Sequence, residues 1–261
     1  MDLAQQTAAA DEVIRKSELP YIGRTPSGEV TLLMGWQDIG GVWHTDAVVR
    51  ELNGEDEEAL SALDTRSNVS YGDYMTEMLS RAVVSVGHYK IAQAPHIIDE
   101  LSVADRDLLF IGVIRSTYGD TRKFVTRCPG CNGENDVNVD LSDTFPVLGT
   151  TEEIRKIRTS TLRDGTVVKL KQPNGGDSRF VAKYAKTTAE QNTALISRCA
   201  LIEVPDKLAW AKKLGLADRN ALIKEIMGQK FGPQAEEVNA PCGHCGDNLS
   251  LSIDWVSLLF G

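Results

Sequence analysis

Four of the five cysteines form two C-x-x-C pairs, a spacing that is typical of metal binding. One pair is Cys128 and Cys131, with Pro-Gly between them, and the other is Cys242 and Cys245, with Gly-His between them. Two thiolates separated by two residues can bind one metal ion from a tight turn, and a second such turn completes a tetrahedron. Four thiolates leave no open coordination position, which favours a structural ion over a catalytic one. We therefore predict that these four cysteines bind one structural Zn²⁺.

The segments around each pair predict that it lies at the tip of a β-hairpin. Residues 123–127 and 136–140 flank the first pair, and residues 237–239 and 249–253 flank the second. Proline and glycine inside the turns suit a sharp bend. The two pairs are separated by 110 residues, whereas a compact site has about 15–20. The pattern therefore predicts a zinc ribbon that is split by an inserted segment.

Two other chemistries remain open for the same cysteines. A redox-active dithiol opens a helix after a strand, and neither pair begins a helical pattern. Independent disulfides need an oxidising compartment, and residues 1–19 lack the apolar segment of a secretory signal. The fifth cysteine, Cys199, lies in a helical run and is interpreted as a small buried apolar residue. His244 is interpreted as a solvent-facing residue of the second turn, because the four sulfurs already complete the site.

The other titratable residues do not form a catalytic pattern. His44 lies in a predicted strand without a companion ligand, and His88 and His96 do not have a metal-ligand spacing. The acids at residues 55–58 are interpreted as the first turn of a helix, where they complement its dipole. The motifs G-x-S-x-G, H-E-x-x-H and G-x-G-x-x-G are absent from the sequence. We therefore predict that the protein is not an enzyme and has no small-molecule substrate.

Composition argues against several classes of protein. The chain has 261 residues, with 28 Lys plus Arg against 37 Asp plus Glu and a net charge of −9. Hydrophobic residues make up 42% and charged residues 25%, as in ordinary soluble domains. The chain has no apolar run of the roughly 18 residues that a membrane-spanning helix needs. Phosphate neutralisation needs clustered Lys and Arg, so the acidic balance argues against general nucleic-acid binding.

Hydrophobic periodicity predicts an α+β fold with a small N-terminal antiparallel sheet, a helical core, and a split zinc-ribbon-like β unit with an inserted α/β segment. The expected regions are an N-terminal arm (1–28), an α+β core (29–120), two ribbon halves (121–145 and 237–261) and an inserted hairpin plus helices (146–236). The main predicted strands are 30–36, 42–50, 166–170 and 178–182, and the main predicted helices are 71–86, 103–115, 187–201, 205–214 and 217–229.

Both ends of the chain have apolar residues that could pack on another surface. In the arm, Leu3, Ala10, Val13 and Ile14 share one face at helical spacing, although Thr7 interrupts this stripe. The arm is either a fraying terminal helix or a docking arm that packs on a partner. The apolar residues of 253–260 either pack into the core of this chain or insert into a neighbour.

The order of several motifs resembles a known family of phage proteins. Residues 52–58 read L-N-G-E-D-E-E, residues 103–111 read V-A-D-R-D-L-L-F-I, and residues 114–119 contain I-R-x-x-Y-G. The C-P-x-C turn at 128–131 follows, and a second C-x-x-C lies further along the chain. This order is similar to that of the baseplate hub and tail-assembly proteins of T4-like contractile-tailed bacteriophages. In that family, a D-R-x-x-L…R…Y-G helix precedes a C-P-x-C turn.

The resemblance implies a structural component of a contractile tail baseplate or hub. It covers residues 30–145 and 237–255, while residues 146–236 and the arm have no counterpart in the motif comparison. It implies other phage tail and baseplate proteins as partners, in multiple copies, and a location in the tail baseplate of the virion after synthesis in the host cytoplasm.

Two other functions remain open. One is a tail-assembly chaperone that is absent from the mature virion. The other is a zinc-ribbon adaptor for nucleic acid or a polymerase, which needs a basic surface near the cysteines. The charged residues there have both signs: Arg122, Lys123, Arg127, Glu134, Asp136 and Asp247.

Overall fold

The computed structural model describes residues 27–65, 69–142, 144–234, 237–253 and 258. It shows an α+β fold, as the periodicity predicts. The strands are β1 (Ser27–Gln37), β2 (Trp43–Arg50), β3 (Val83–Val86), β4 (Tyr89–Lys90), β5 (Thr121–Arg127), β6 (Glu134–Asp140), β7 (Val147–Leu148), β8 (Arg158–Thr161), β9 (Val167–Leu170), β10 (Ala200–Leu201), β11 (Gly232–Pro233), β12 (Glu237–Pro241) and β13 (Asn248–Ser252). The helices are α1 (Gly54–Asp64), α2 (Tyr71–Ala82), α3 (His96–Glu100), α4 (Val103–Tyr118), α5 (Thr151–Arg155), α6 (Gly175–Tyr184), α7 (Thr188–Cys199), α8 (Lys207–Lys213) and α9 (Leu216–Met227).

The first layer is an antiparallel sheet in the order β1-β2-β3-β4, with helix α4 packed across β1 and β2. The buried side of α4 includes Leu109, Phe110, Val113 and Ile114. These residues belong to the first hydrophobic cluster, which also contains buried residues of the sheet, of α1 to α3 and of the hairpins that carry the cysteine pairs. The predicted helical core is therefore continuous with the ribbon.

A bulge in β1 is held by a buried carboxylate on α4. The register of β1 against β2 shifts between Thr31 and Trp36, which leaves backbone amides of β1 without strand partners. Asp105 accepts hydrogen bonds from the amides of Leu33 (2.6 Å) and Met34 (3.0 Å), and also from that of Gly35. Asp105 is 0% exposed. Asp105, in the first turn of α4, thus fixes the strand that lies against the helix.

Helix α2 is shorter than the sequence predicts. The expected helix over 71–86 ends at Ala82, and Val83–Val86 forms strand β3 beside β2. The β-branched residues of this segment favour a strand, where they pack well on a half-buried sheet surface. The helix therefore ends before the valines, although the helical periodicity of the apolar residues continues to Val86.

The inserted segment has its own small sheet and its own hydrophobic cluster. Strands β10, β9 and β8 are antiparallel, and the helices α7, α8 and α9 pack near them. The second cluster consists of buried residues from these elements: Leu162, Val168, Leu170, Ile196, Cys199, Ala200, Ala211, Leu222 and Ile226. The division of the chain into domains stays a prediction.

The predicted hairpin between 166–170 and 178–182 is wrong. Strand β9 pairs with β8 and β10, while residues 175–184 form helix α6. Asn174 accepts a hydrogen bond from the amide of Asp177 (2.9 Å), and Asp177 accepts one from the amide of Asn174 (3.2 Å). This capping box starts a helix where the glycines suggest a turn.

Salt bridges join the inserted segment to the core. Arg179 of α6 lies 2.9 Å from Asp73 at the start of α2 and 2.7 Å from Asp99 of α3. The carboxylate of Asp99 is also 3.6 Å from the buried guanidinium of Arg106 on α4. These contacts fix α6 against the N-terminal end of α4.

The predicted terminal segments lie mostly outside the described residues. Residues 1–26 of the arm are outside them, and Ser27 and Gly28 belong to β1. Ile253 and Leu258 are both buried in the first cluster. At these two positions the chain packs into its own core, which is one of the two alternatives that the sequence leaves open.

Candidate metal centre

The first cysteine pair lies in the turn between β5 and β6. The amide of Cys128 donates to the carbonyl of Gly133 (2.9 Å), and the amide of Asn132 donates to the carbonyl of Cys128 (2.9 Å). A Cβ atom at Gly133 would lie 2.5 Å from Cδ2 of His244 in the other turn, so only glycine allows this approach. The turn points the side chains of Cys128 and Cys131 towards the second pair.

The second turn, between β12 and β13, repeats the backbone of the first. The amide of Cys242 donates to the carbonyl of Asp247 (2.7 Å), and the amide of Gly246 donates to the carbonyl of Cys242 (2.9 Å). The residue after the second cysteine of each pair has a left-handed backbone, with φ of 58° at Asn132 and 79° at Gly246. Glycine and asparagine tolerate this conformation best. Both turns therefore form from local sequence.

The two turns bring the four sulfurs together at distances that fit one metal ion. The Sγ atoms of Cys128 and Cys245 are 3.6 Å apart, and those of Cys131 and Cys242 are 3.7 Å apart. All four lie within 4.8 Å of one another. A tetrahedral zinc site with Zn–S bonds of about 2.3 Å has S–S edges of about 3.8 Å. A disulfide needs about 2.05 Å, and the cysteines are free thiols.

A buried asparagine connects the two turns behind the sulfurs. The side-chain amide of Asn135 donates to the carbonyl of Gly133 (2.9 Å) and to Sγ of Cys242 (3.5 Å). Its oxygen accepts from the amide of Gly243 (2.8 Å). Such hydrogen bonds orient metal ligands and stabilise negative charge on sulfur. The sequence analysis did not identify this residue, because its partners in the second turn, Cys242 and Gly243, are more than a hundred residues away.

His244 lies on the exposed side of the site, as the sequence predicts, but it also contacts the opposite hairpin. Its ring Nε2 donates to the carbonyl of Glu134 (2.9 Å), and its amide donates to Sγ of Cys242 (3.4 Å). The carbonyl can only accept, which requires the tautomer with a proton on Nε2. His244 therefore joins the two turns and leaves the sulfurs as the ligand set.

The electrostatics of the cluster favour a bound cation. Burial opposes ionisation of Cys242, but hydrogen bonds from the amides of Cys245 and His244 and from Asn135 lower the pKa of this thiol to about 6. A hydrogen bond from the amide of Asp247 favours the Cys245 thiolate, yet the neighbouring thiols and burial raise its pKa to about 12. Ionisation of one thiol thus disfavours ionisation of its neighbours. A cation at the centre of the site allows all four to ionise.

Two of the four clustered cysteines lie inside the hydrophobic core, and the other two face solvent. Cys128 and Cys242 are buried members of the first cluster, whereas Cys131 and Cys245 are exposed. Each turn thus contributes one buried and one exposed sulfur. An ion bound here would cross-link two hairpins far apart in sequence and attach both to the core.

The histidines occupy structural positions, consistent with the sequence analysis. Nε2 of His44 is 3.0 Å from Oδ2 of Asp38, and its ring centroid is 5.0 Å from that of His88. His96 lies near Trp36, at 6.4 Å between ring centroids. Among the residues that the structure describes, the four cysteines are the group with a metal-binding arrangement.

The fifth cysteine and the acidic segment also have the expected structural roles. Cys199 is buried in the second cluster, and burial raises its pKa to about 12. Asn53 and Asp56 form a capping box at the start of α1, which confirms the interpretation of the acids as a helix start. Asp56 also forms a salt bridge with Arg50 at 2.6 Å, a buried contact that the sequence alone did not indicate.

The described helices include none long and apolar enough to cross a membrane.

Comparison with known proteins identifies a family over most of the chain. A family model described as T4 bacteriophage base plate protein matches residues 47–231. The match includes Cys128 and Cys131, and it ends before Cys242 and Cys245. It also extends through residues 146–231, so the expectation that the inserted segment has no counterpart in the family is wrong. Neither the search of curated proteins nor the search of solved structures found a significant match. Because the family model matches well over half of the chain, the protein belongs to the T4 bacteriophage base plate protein family.

Proposed function

We propose that the protein is a structural component of a contractile phage tail baseplate, at or near its hub, and that one zinc ion holds its ribbon. Membership of the base plate family supports the baseplate role. The single observation that carries the structural role is the closed cluster of four sulfurs at the junction of two distant hairpins. Such a site stabilises a surface for other tail proteins.

The ligand set supports zinc as the metal. Soft thiolate ligands in a tetrahedral arrangement select zinc or iron–sulfur chemistry over magnesium or calcium. Two C-x-x-C turns with S–S distances near 3.7 Å match a single ion. When bound, zinc supplies a cross-link whose binding energy becomes folding energy. The cysteines act only as ligands in this proposal.

We propose that the protein is not an enzyme. Four thiolates leave zinc no position for water or substrate. The buried carboxylate of Asp105 is occupied by amides of β1 and by the hydroxyl of Ser102 (2.8 Å). Cys199, the remaining thiol, lies inside a hydrophobic cluster. Each of these groups has a structural use.

The charges around the turns weigh against the nucleic-acid adaptor. Lys123 forms a salt bridge with Asp136 at 2.6 Å, and Arg127 lies 3.7 Å from Glu134. Two of the three basic side chains of β5 thus have an acidic partner on β6, and the third, Arg122, lies over the ring of Tyr118 at 4.1 Å. Paired charges do not provide the clustered positive surface that phosphate binding needs.

Mass spectrometry of purified phage tails tests the proposal. The protein is expected in gradient-purified tails at a fixed ratio to other baseplate proteins, and the isolated chain is expected to carry one zinc in native mass spectra. Presence in infected cells but absence from finished tails would instead identify an assembly chaperone. An isolated chain without metal after purification in chelator-free buffer would refute the zinc site without affecting the baseplate assignment.

A further inference from the structure

An open apolar groove lies at the N-terminal end of α4, where this helix meets α6, α7 and α9 of the inserted segment. Its volume is about 710 Å³. The apolar lining includes Val103, Ile154, Val181, Leu195, Met227 and Phe231. The polar lining is mainly neutral amides, with Lys230 as the charged residue among the lining residues. The groove therefore suits an apolar peptide surface with a negative charge at one edge.

Exposed apolar side chains indicate that the described residues leave the groove open. Met227 is 60% exposed and Val103 is 38% exposed, although both lie beside the buried residues of the groove. An occupant with an apolar face would remove this surface from water, which is favourable.

We propose that residues 3–14 of the same chain dock in this groove as an amphipathic helix. Leu3, Ala10, Val13 and Ile14 form its apolar stripe. A helix of this length is marginal in water by itself and needs a surface that buries its apolar face. The match between this apolar stripe and a groove that the described residues leave open carries the proposal.

Charge complementarity supports this segment as the occupant. Asp11 and Glu12 follow the alanines of the arm, next to Val13 and Ile14 of the stripe. A carboxylate at that end of the helix can lie near Lys230 at the edge of the groove.

The chain is long enough to reach the groove. Gly28 of β1 lies near Ser116, because a Cβ atom there would be 2.8 Å from its Oγ. The groove is at Val103, at the opposite end of α4, about 20 Å away along the helix. Residues 15–26 can span about 40 Å when extended. The other terminal segment has a different place, since Leu258 is buried in the first cluster.

Hydrogen exchange of the full-length, zinc-loaded chain tests the docking. Amides of residues 3–14 are expected to exchange at least about tenfold more slowly than in a synthetic peptide of the same sequence. Met227→Glu places a carboxylate in the groove at an exposed position, so the fold is retained while the protection is lost. Val181→Asp, at a half-buried position of the groove, is expected to do the same.

Leu216→Glu is the matched control, because Leu216 is 78% exposed at the other end of α9, away from the groove. This variant is expected to keep the protection. Free-peptide exchange rates in the wild-type chain would overturn the proposal, as would protection that neither groove variant removes. Protection that increases with protein concentration would show that a second copy supplies the arm, which also overturns docking within one chain. These outcomes do not depend on the baseplate role.

Discussion

The ribbon and the inserted segment are stabilised by different means. Each ribbon hairpin has two strands, and its buried side chains, such as Phe124, Val137 and Leu249, join the main cluster instead of forming one of their own. The inserted segment has a separate cluster of aliphatic residues. Two-stranded hairpins are marginal by themselves, and a metal cross-link can supply what their small core lacks.

The inserted segment begins its helices with strong local signals. Capping boxes start α5, α6 and α7, at Thr150, Asn174 and Thr187. Each satisfies amides at the helix start and is formed by residues three apart. This region therefore combines local signals with a hydrophobic core, while the ribbon combines local turns with a cluster of four cysteines. The comparison predicts that metal loss affects one region and leaves the other folded.

Loss of one zinc ligand is expected to have the largest effect. Cys242→Ser should destabilise the ribbon hairpins by more than about 4 kcal/mol, because it removes a ligand on which folding depends. Zinc per chain and unfolding in urea measure the two consequences. Cys199→Ala is the control and should keep the zinc. Unchanged zinc content and stability in the serine variant would contradict the view that the ribbon depends on a metal whereas the inserted segment does not.

Acidification is expected to have the second-largest effect and to unfold the ribbon before the inserted segment. The Cys242 thiol has a pKa of about 6, below its ordinary value of 9.0, so the stability from its thiolate is present at higher pH and is lost as the pH falls through about 6. Protons also compete with zinc for all four sulfurs.

We therefore expect acidification to release zinc and to abolish the hairpin signals, with the signals of α7 and α9 retained. Metal content and NMR spectra across the titration measure both. Simultaneous loss of the two sets of signals would mean that the regions unfold as one unit.

A cavity in the second hydrophobic cluster tests whether the inserted segment can be destabilised without loss of zinc from the ribbon. Leu222 is fully buried on α9, and Leu222→Ala should destabilise the protein by about 3 kcal/mol through lost burial and an unfilled cavity. The zinc content should not change. Leu216→Ala on the exposed part of the same helix should stay within about 0.5 kcal/mol of the wild type. Zinc loss in the Leu222 variant would show that the inserted segment supports the metal site.

Removal of a helix cap should have the smallest effect. Asn174→Ala removes the capping box of α6 and should cost about 1 kcal/mol. Asn220→Ala, at an exposed position inside α9, makes the same change without removing a cap. Thermal unfolding compares the two variants. Equal melting temperatures would mean that packing alone holds α6 against the core.

Local patterns predicted much of the site and part of the fold. The cysteine turns and most strands and helices follow from spacing and periodicity. The strand at 178–182 was mispredicted because a short apolar run fits either a strand or a helix, and only the capping box from Asn174 distinguishes them. The length of α2 was mispredicted because helical periodicity continues into the valines of β3, which pair with β2 in the sheet.

The sequence by itself determined features that depend on neighbouring residues: two C-x-x-C turns, capped helices and an α+β pattern of elements. Only the tertiary structure decided that the turns, 110 residues apart, place four sulfurs within 4.8 Å of one another. It also decided that Asp105 holds the bulge of β1 and that an apolar groove opens beside α4. The physical reason is that turns and caps depend on local hydrogen bonds, whereas contacts between distant residues depend on how the elements pack.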